Sequence, residues 1–405
     1  MKNLFYTIFI FLSLQANAQY WQRITDFPSS ERDDGISFVI NNVAYCGTGL
    51  NAGFSACGDF YALDMLTDNW TSISSLPAFE ERQYAVGFSY QNEGYLLGGI
   101  NGSSNLNDIW KYTPTLNSWT FIDTFPFTGR NGSASFIIDS IAYLIGGRTS
   151  SNLAINEVWA YNILQNTWEQ KGDLPFGERW RASACSINNK GYLLFGKDNE
   201  DKFSNSVFEY DALLDTWTLI SNFPEPSMAY VSAQVVNNNI VLIGGLDSLG
   251  NSSSKMMQYK IAENVWQNLE NIPSDGRRGG MCFSNSNSIY YTAGINQNNI
   301  RIKETWKSDN PTSIKKNENK IDILLFPNPV HSDNNFTIQL SERIDNKFSI
   351  QLFSYEGILV RDIYQNGLNQ TEFSFSPKES ISSGVYFVKL NSSEFTIVKK
   401  IIVIN

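Results

Sequence analysis

Residues 141–147, Ile-Ala-Tyr-Leu-Ile-Gly-Gly, followed by Glu157-Val-Trp-Ala-Tyr-Asn162 and Thr167-Trp-Glu-Gln-Lys-Gly172, form a unit that the chain repeats. The tryptophan near its end belongs to a series, Trp21, Trp70, Trp119, Trp168, Trp217 and Trp266, in which each member stands 49 residues from the next. A second register with the same spacing holds Tyr61, Trp110, Trp159, Phe208, Met257 and Trp306, and a third holds Pro28, Pro77, Pro126, Pro175, Pro224 and Pro273. Nine of the ten tryptophans fall on the first two registers, so a repeat sets them and not a general need for apolar bulk.

In the third unit four short segments, at about 130–138, 141–146, 157–162 and 167–172, are rich in aromatic and β-branched residues. Gly, Asn, Asp and Ser turns separate them, which reads as β-strands. No window sustains a helical 3.6-residue period. The second segment ends on Gly98-Gly99, Gly146-Gly147 and Gly244-Gly245, with Phe195-Gly196 and Ala293-Gly294 as variants and Cys46-Gly47-Thr48-Gly49 as the largest departure. Four-stranded units of about 50 residues with a double glycine and a spaced aromatic pair resemble Kelch repeats of a β-propeller. The resemblance covers residues 20 to about 310 and implies an all-β, six-bladed ring. Trp21 precedes every other strand, while Trp306 has no fourth strand after it. Residues 20–27 are therefore expected to supply the outer strand of the last blade and close the ring.

The two ends of the chain read differently. Met1-Lys2-Asn3, the apolar run Leu4–Leu14 and Ala16-Asn17-Ala18 have the form of a cleaved secretory signal over residues 1–18. No later stretch is long enough to cross a bilayer as a helix, so no transmembrane segment is expected. The propeller is expected over 19–310 and a polar linker over 311–322. Residues 323–405 read as short alternating strands, a small Ig-like β-sandwich. Phe326-Pro327-Asn328-Pro329, Ser383-Gly384-Val385-Tyr386 and the basic end Lys399-Lys400 resemble the C-terminal sorting domain of type IX secretion substrates. That resemblance implies the type IX machinery as a partner and passage through the periplasm to the cell surface or medium. In an oxidising compartment Cys46 and Cys57 read either as a bridge clipping one loop or as two buried thiols, while Cys185 and Cys282 read as packed.

Composition narrows the chemistry. A net charge of −10 argues against a nucleic-acid partner, which needs a basic face. The single histidine, His331, lies outside the propeller, so Ser-His-Asp and Cys-His catalysis are excluded there. So is the copper chemistry of galactose oxidase, which shares this repeat type and needs two histidines. The loop Lys197-Asp-Asn-Glu-Asp201 lacks calcium-loop spacing and reads as solvated, and no metal or cofactor is expected.

Arg32, Arg82, Arg130, Arg179 and Arg277 open the innermost strand of five units, with Met228 in the remaining one. Guanidinium groups around a central funnel would suit an anionic glycan or an acidic protein loop. The competing reading is that each arginine pairs within the fold, because a repeated residue usually serves the repeat. Trp180, off both tryptophan registers, is the aromatic candidate for ligand contact. The expected function is a non-catalytic binding module. The alternative is a sugar-acid enzyme, similar to the Kelch-type N-acetylneuraminate mutarotases, with Glu178 as proton shuttle and Arg179 on the carboxylate. Glu31 and Glu178, three blades apart, read as too distant to act as a glycosidase pair.

Overall fold

The computed structural model describes residues 21–309, 323–341, 343–344, 348–367, 371–376, 381–392 and 396–404. The expected signal at 1–18 and the linker at 311–322 lie outside the described residues. The chain divides into two compact units, Met1–Ile314 and Lys315–Asn405.

In the first unit, six four-stranded antiparallel sheets follow one another as blades. Blade 3 shows the rule: Ala134–Ile138, Ile141–Ile145, Val158–Asn162 and Thr167–Gln170, paired in that order. Its second strand is a continuous apolar run that buries four of five residues, because a blade is covered on both faces by its neighbours. Its outer strand is mostly exposed, and its sequence is correspondingly polar.

The ring closes as the registers imply. Trp21–Ile24 pairs antiparallel with Thr305–Asp309, Trp21 opposite Ser308 and Ile24 opposite Thr305, and supplies the fourth strand of blade 6. The joint is the same one used elsewhere in the ring. Trp70 and Trp119 donate their indole N–H to Thr25 O (3.1 Å) and Ser74 O (3.0 Å), each 45 residues back on the preceding blade. Trp21 does this to Glu270 O at 2.8 Å, across 249 residues of sequence. It is also the most buried of the register tryptophans, at 1% exposure. Trp21→Ala is therefore expected to lower the unfolding free energy by about 3–5 kcal/mol. Guanidinium unfolding checks this, and a loss below about 1 kcal/mol would mean that the strand is not the closing element.

The second unit is a sandwich. One sheet pairs Ile323–Phe326, Phe336–Leu340 and Glu372–Phe375; the other orders Val330–His331, Thr396–Ile404, Gly384–Ser392, Phe348–Ser354 and Leu359–Gly367. Phe336, Ile338, Ile350, Leu352, Val388 and Ile401 from both sheets form its core. All four cysteines are free, buried thiols, so Cys46 and Cys57 are not bridged.

Candidate functional site

The repeated arginines are scaffold. Arg32, Arg82, Arg130 and Arg277 are 0–2% exposed. Each binds a carboxylate at the start of the third strand of its own blade: Asp59 (2.7 Å), Asp108 (2.6 Å), Glu157 (2.7 Å) and Glu304 (2.8 Å). Arg32, Arg82 and Arg277 also donate to a carbonyl at the end of the second strand, Thr48, Gly98 and Ala293. They knit the entry of the inner strand to the two strands beside it, and none lines the central cavity. The expected arginine-rimmed funnel is corrected on this ground. A fully buried guanidinium already holding a carboxylate gives a ligand no access, and of these four only Arg130 keeps an unpartnered donor, its Nη1. Arg179 stands apart, because its carboxylate position is taken by Ser206. It is half-buried, donates to Glu178 O at 2.7 Å, and lies outside the cavity with Glu178.

The cavity is built two residues further along. There the six blades present Asp34, Tyr84, Gly132, Arg181, Tyr230 and Gly279, all left-handed, with φ between 57° and 64°. Main-chain bonds tie neighbours into a girdle: Asp34 N–H to Gly279 O (2.7 Å), Tyr84 to Asp34 (3.0 Å), Gly132 to Tyr84 (2.9 Å), Arg181 to Gly132 (2.9 Å) and Tyr230 to Arg181 (3.1 Å). Read round the ring, opposite blades carry Asp against Arg, Tyr against Tyr and Gly against Gly. Inside lies a cavity of about 290 Å³, walled by this girdle and by small residues of the inner strands such as Ser37, Ser135 and Ser232.

Two side chains reach across it. Arg181 Nη1 approaches Asp34 Oδ1 at 3.5 Å, although 147 residues, or three blades, separate them. Separation by three blades therefore does not keep two groups apart at the axis, whereas Glu31 and Glu178 lie outside this cavity. The glycines make the room. A Cβ on Gly279 would meet Asp34 Oδ1 at 2.7 Å, and one on Gly132 would meet Arg181 Nε at 3.3 Å. Arg181 stacks on Tyr84, 3.0 Å from the ring centre, and faces Tyr230 at 4.9 Å.

The electrostatics favour an anion. Arg181 is 9% exposed, yet its Nε and Nη2 are buried without a hydrogen-bond partner. Buried donors in that state are costly unless something accepts from them. Arg148 lies 3.4 Å over the Trp180 ring with its own Nε unpartnered, and Lys197 lies 5.9 Å from both Trp180 and Tyr230. Burial first, then the nearby charges of Arg148, Arg278 and Arg181, lower the Lys197 ammonium below its usual range. Burial raises the Asp34 carboxyl to about 7, and Arg181 opposes that rise only in part. Arg148 and Lys197 share one carboxylate, Asp201, at 3.1 and 3.8 Å, so this cluster beside the mouth keeps a net positive charge in a protein whose net charge is −10.

Trp180, 8% exposed, neighbours the girdle and supports Arg148 without lining the cavity. Sequence reasoning missed Asp34, Tyr84, Arg181 and Tyr230. Their signal is a position in register whose residue changes from blade to blade while its neighbours repeat.

Residues 44–296 match the family model described as the attractin/LZTR1 β-propeller, and residues 324–404 match the secretion system C-terminal sorting domain. An N-acetylneuraminate epimerase of Shigella flexneri is 30% identical over 120 residues, 28% of this chain and 31% of that protein. One of Salmonella arizonae is 26% identical over 142 residues, 33% of this chain and 35% of that protein. The chain thus spans about a third of the length of these curated relatives. The solved structure of YjhT is 19% identical, with a TM-score of 0.60 over 70% of this chain and 96% of that one, a likeness of fold.

Proposed function

The chain belongs to the attractin/LZTR1 β-propeller family and carries a type IX sorting domain that directs it to the cell surface or medium, and from that premise we propose that it binds an acidic sugar in the central mouth. The observation that carries this reading is Arg181, nine-tenths buried, which lines a cavity of about 290 Å³ and keeps two donors without a partner. A planar guanidinium offers a carboxylate two parallel hydrogen bonds. Arg148 and Lys197 add positive charge, and Tyr84 and Tyr230 supply flat apolar walls for a sugar ring. The volume suits one monosaccharide better than a folded protein loop.

Titration of the full chain with N-acetylneuraminate and with its methyl ester tests this. The acid is expected to bind and the ester, which lacks the charge, to bind at least tenfold more weakly; equal binding would sink the proposal. Affinity is expected to rise as pH falls from 8 to 6. Asp34 gains a proton over that range and stops competing for Arg181.

A second reading is favoured by Asp34 itself. A carboxyl raised to about 7 inside a sugar-sized cavity is poised to carry protons near neutral pH, and the relatives above are named for N-acetylneuraminate epimerisation. Asp34 would take the proton of the anomeric hydroxyl and pass it to the ring oxygen as the bond from that oxygen to the anomeric carbon breaks, leaving the open-chain ketone. Reclosure on the other face, with the proton returned, gives the second anomer. Asp34→Asn is then expected to abolish catalysed anomer exchange, followed by NMR, while tightening binding of the acid. Exchange at the uncatalysed rate with the unaltered chain would leave binding alone.

A further inference from the structure

Beside the mouth, blade 1 breaks a rule that the other blades keep. In five blades a turn within the loop between the second and third strands closes on a residue that donates its N–H to the carbonyl three residues back: Phe54 to Asn51, Asn152 to Thr149, Asp201 to Asp198, Gly250 to Asp247 and Asn299 to Asn296. All five have left-handed backbone, with φ of 59°, 59°, 57°, 88° and 58°. Asn, Asp and Gly adopt that conformation readily, whereas an aromatic side chain does so against a steric penalty. Phe54 is nevertheless there, and it is 77% exposed. Neither folding nor the turn requires a phenylalanine at this position, since four blades make the same turn without one.

Its surroundings say what the ring is for. Arg301 lies 4.9 Å from the Phe54 ring centre, and its Nε is held by Asp33 at 2.6 Å with both residues buried. Phe54, Glu31, Ala52, Asn299, Ile300 and Arg301 line a groove of about 460 Å³. Asp33 precedes the mouth residue Asp34, so one ion pair and one peptide bond connect the groove's Arg301 to the mouth. A flat apolar ring flanked by a carboxylate, an amide and a fixed guanidinium matches a pyranose, which presents C–H groups on one face and hydroxyls at its edge.

We propose that this groove is a second sugar subsite, where a hexopyranose linked to the acidic sugar in the mouth stacks on Phe54 and offers its hydroxyls to Glu31 and Asn299. This rests on the reading that the mouth holds an acidic sugar. The test compares the affinity of the full chain for N-acetylneuraminate with that for a sialyl-galactose disaccharide. The disaccharide is expected to bind roughly five- to tenfold more tightly. Phe54→Asn, which installs the turn residue used at Asn152 and Asn299, is expected to remove that gain. It should leave monosaccharide affinity unchanged and the unfolding temperature equal or higher. If the unaltered chain binds the monosaccharide but gains nothing from the second sugar, the groove proposal alone is overturned. The same holds if Phe54→Asn weakens both sugars equally, or lowers the unfolding temperature without touching the gain. If the monosaccharide does not bind, the mouth reading fails and the groove falls with it.

Discussion

Replacing Arg181 with glutamine is expected to weaken binding of an acidic sugar by roughly 100-fold, about 3 kcal/mol, with the fold intact. Glutamine keeps an amide donor and much of the length but loses the charge and the two-pronged geometry. It also leaves Asp34 without the partner it meets at 3.5 Å. The stability consequence has a defined sign. Burial already raises the Asp34 carboxyl from 3.8 to about 7, and removing Arg181 raises it further. A raised carboxyl contributes stability that is fully present below its unfolded pKa and lost as pH rises through the folded value. At pH 5 Asp34 is neutral with or without Arg181, and the variant is expected to unfold within about 1 kcal/mol of the unaltered protein. Above about 7 the unaltered chain keeps a paired carboxylate and the variant does not, so the gap widens. Calorimetric titration at pH 6 and thermal unfolding at pH 5 and 8 read both effects. Retained binding of the acid would remove Arg181 from the site.

The contrast between Arg181 and the repeated arginines explains what sequence can and cannot disclose here. The 49-residue registers carry the blades, the closure by Trp21–Ile24 and the joint at Trp70 and Trp119, because a repeat preserves whatever each copy needs in order to pack. Arg32, Arg82, Arg130 and Arg277 are repeated for that same reason, and repetition made them conspicuous as a ligand rim when they are braces. A fourth register confirms their role: Asp59, Asp108, Glu157, Ser206, Lys255 and Glu304 are also 49 apart. Acid and arginine are both present in four blades. In blade 4 the acid is lost and Arg179 is left without it, and in blade 5 both are lost, as Met228 and Lys255. The mouth is legible only in reverse, at the register position where copies disagree. Even then, that Asp34 and Arg181 touch depends on the narrowness of the axis, which no spacing along the chain encodes.

If the arginines are braces, Arg82→Ala should act on stability and not on the ligand. Arg82 is fully buried between Asp108 (2.6 Å) and Glu80 (2.8 Å), and Asp108, 12% exposed, also accepts the Trp110 indole N–H at 2.6 Å. Removing the cation strands a carboxylate in a place that solvent barely reaches, and the expected loss is about 3–5 kcal/mol. Arg179→Ala should cost only about 1 kcal/mol, since no acid faces it from Ser206. The decisive variant copies the natural losses: Arg82→Met with Asp108→Ser, after Met228 and Ser206. It removes both charges together and is expected to be more stable than Arg82→Met alone by about 2 kcal/mol, a coupling that only a direct pair produces. Whatever fraction of Arg82→Ala folds should still bind an acidic sugar as the unaltered chain does, because Asp34, Tyr84 and Arg181 keep their girdle. An Arg82→Ala protein of undiminished stability that fails to bind would restore the arginine rim as the site and dismiss the mouth.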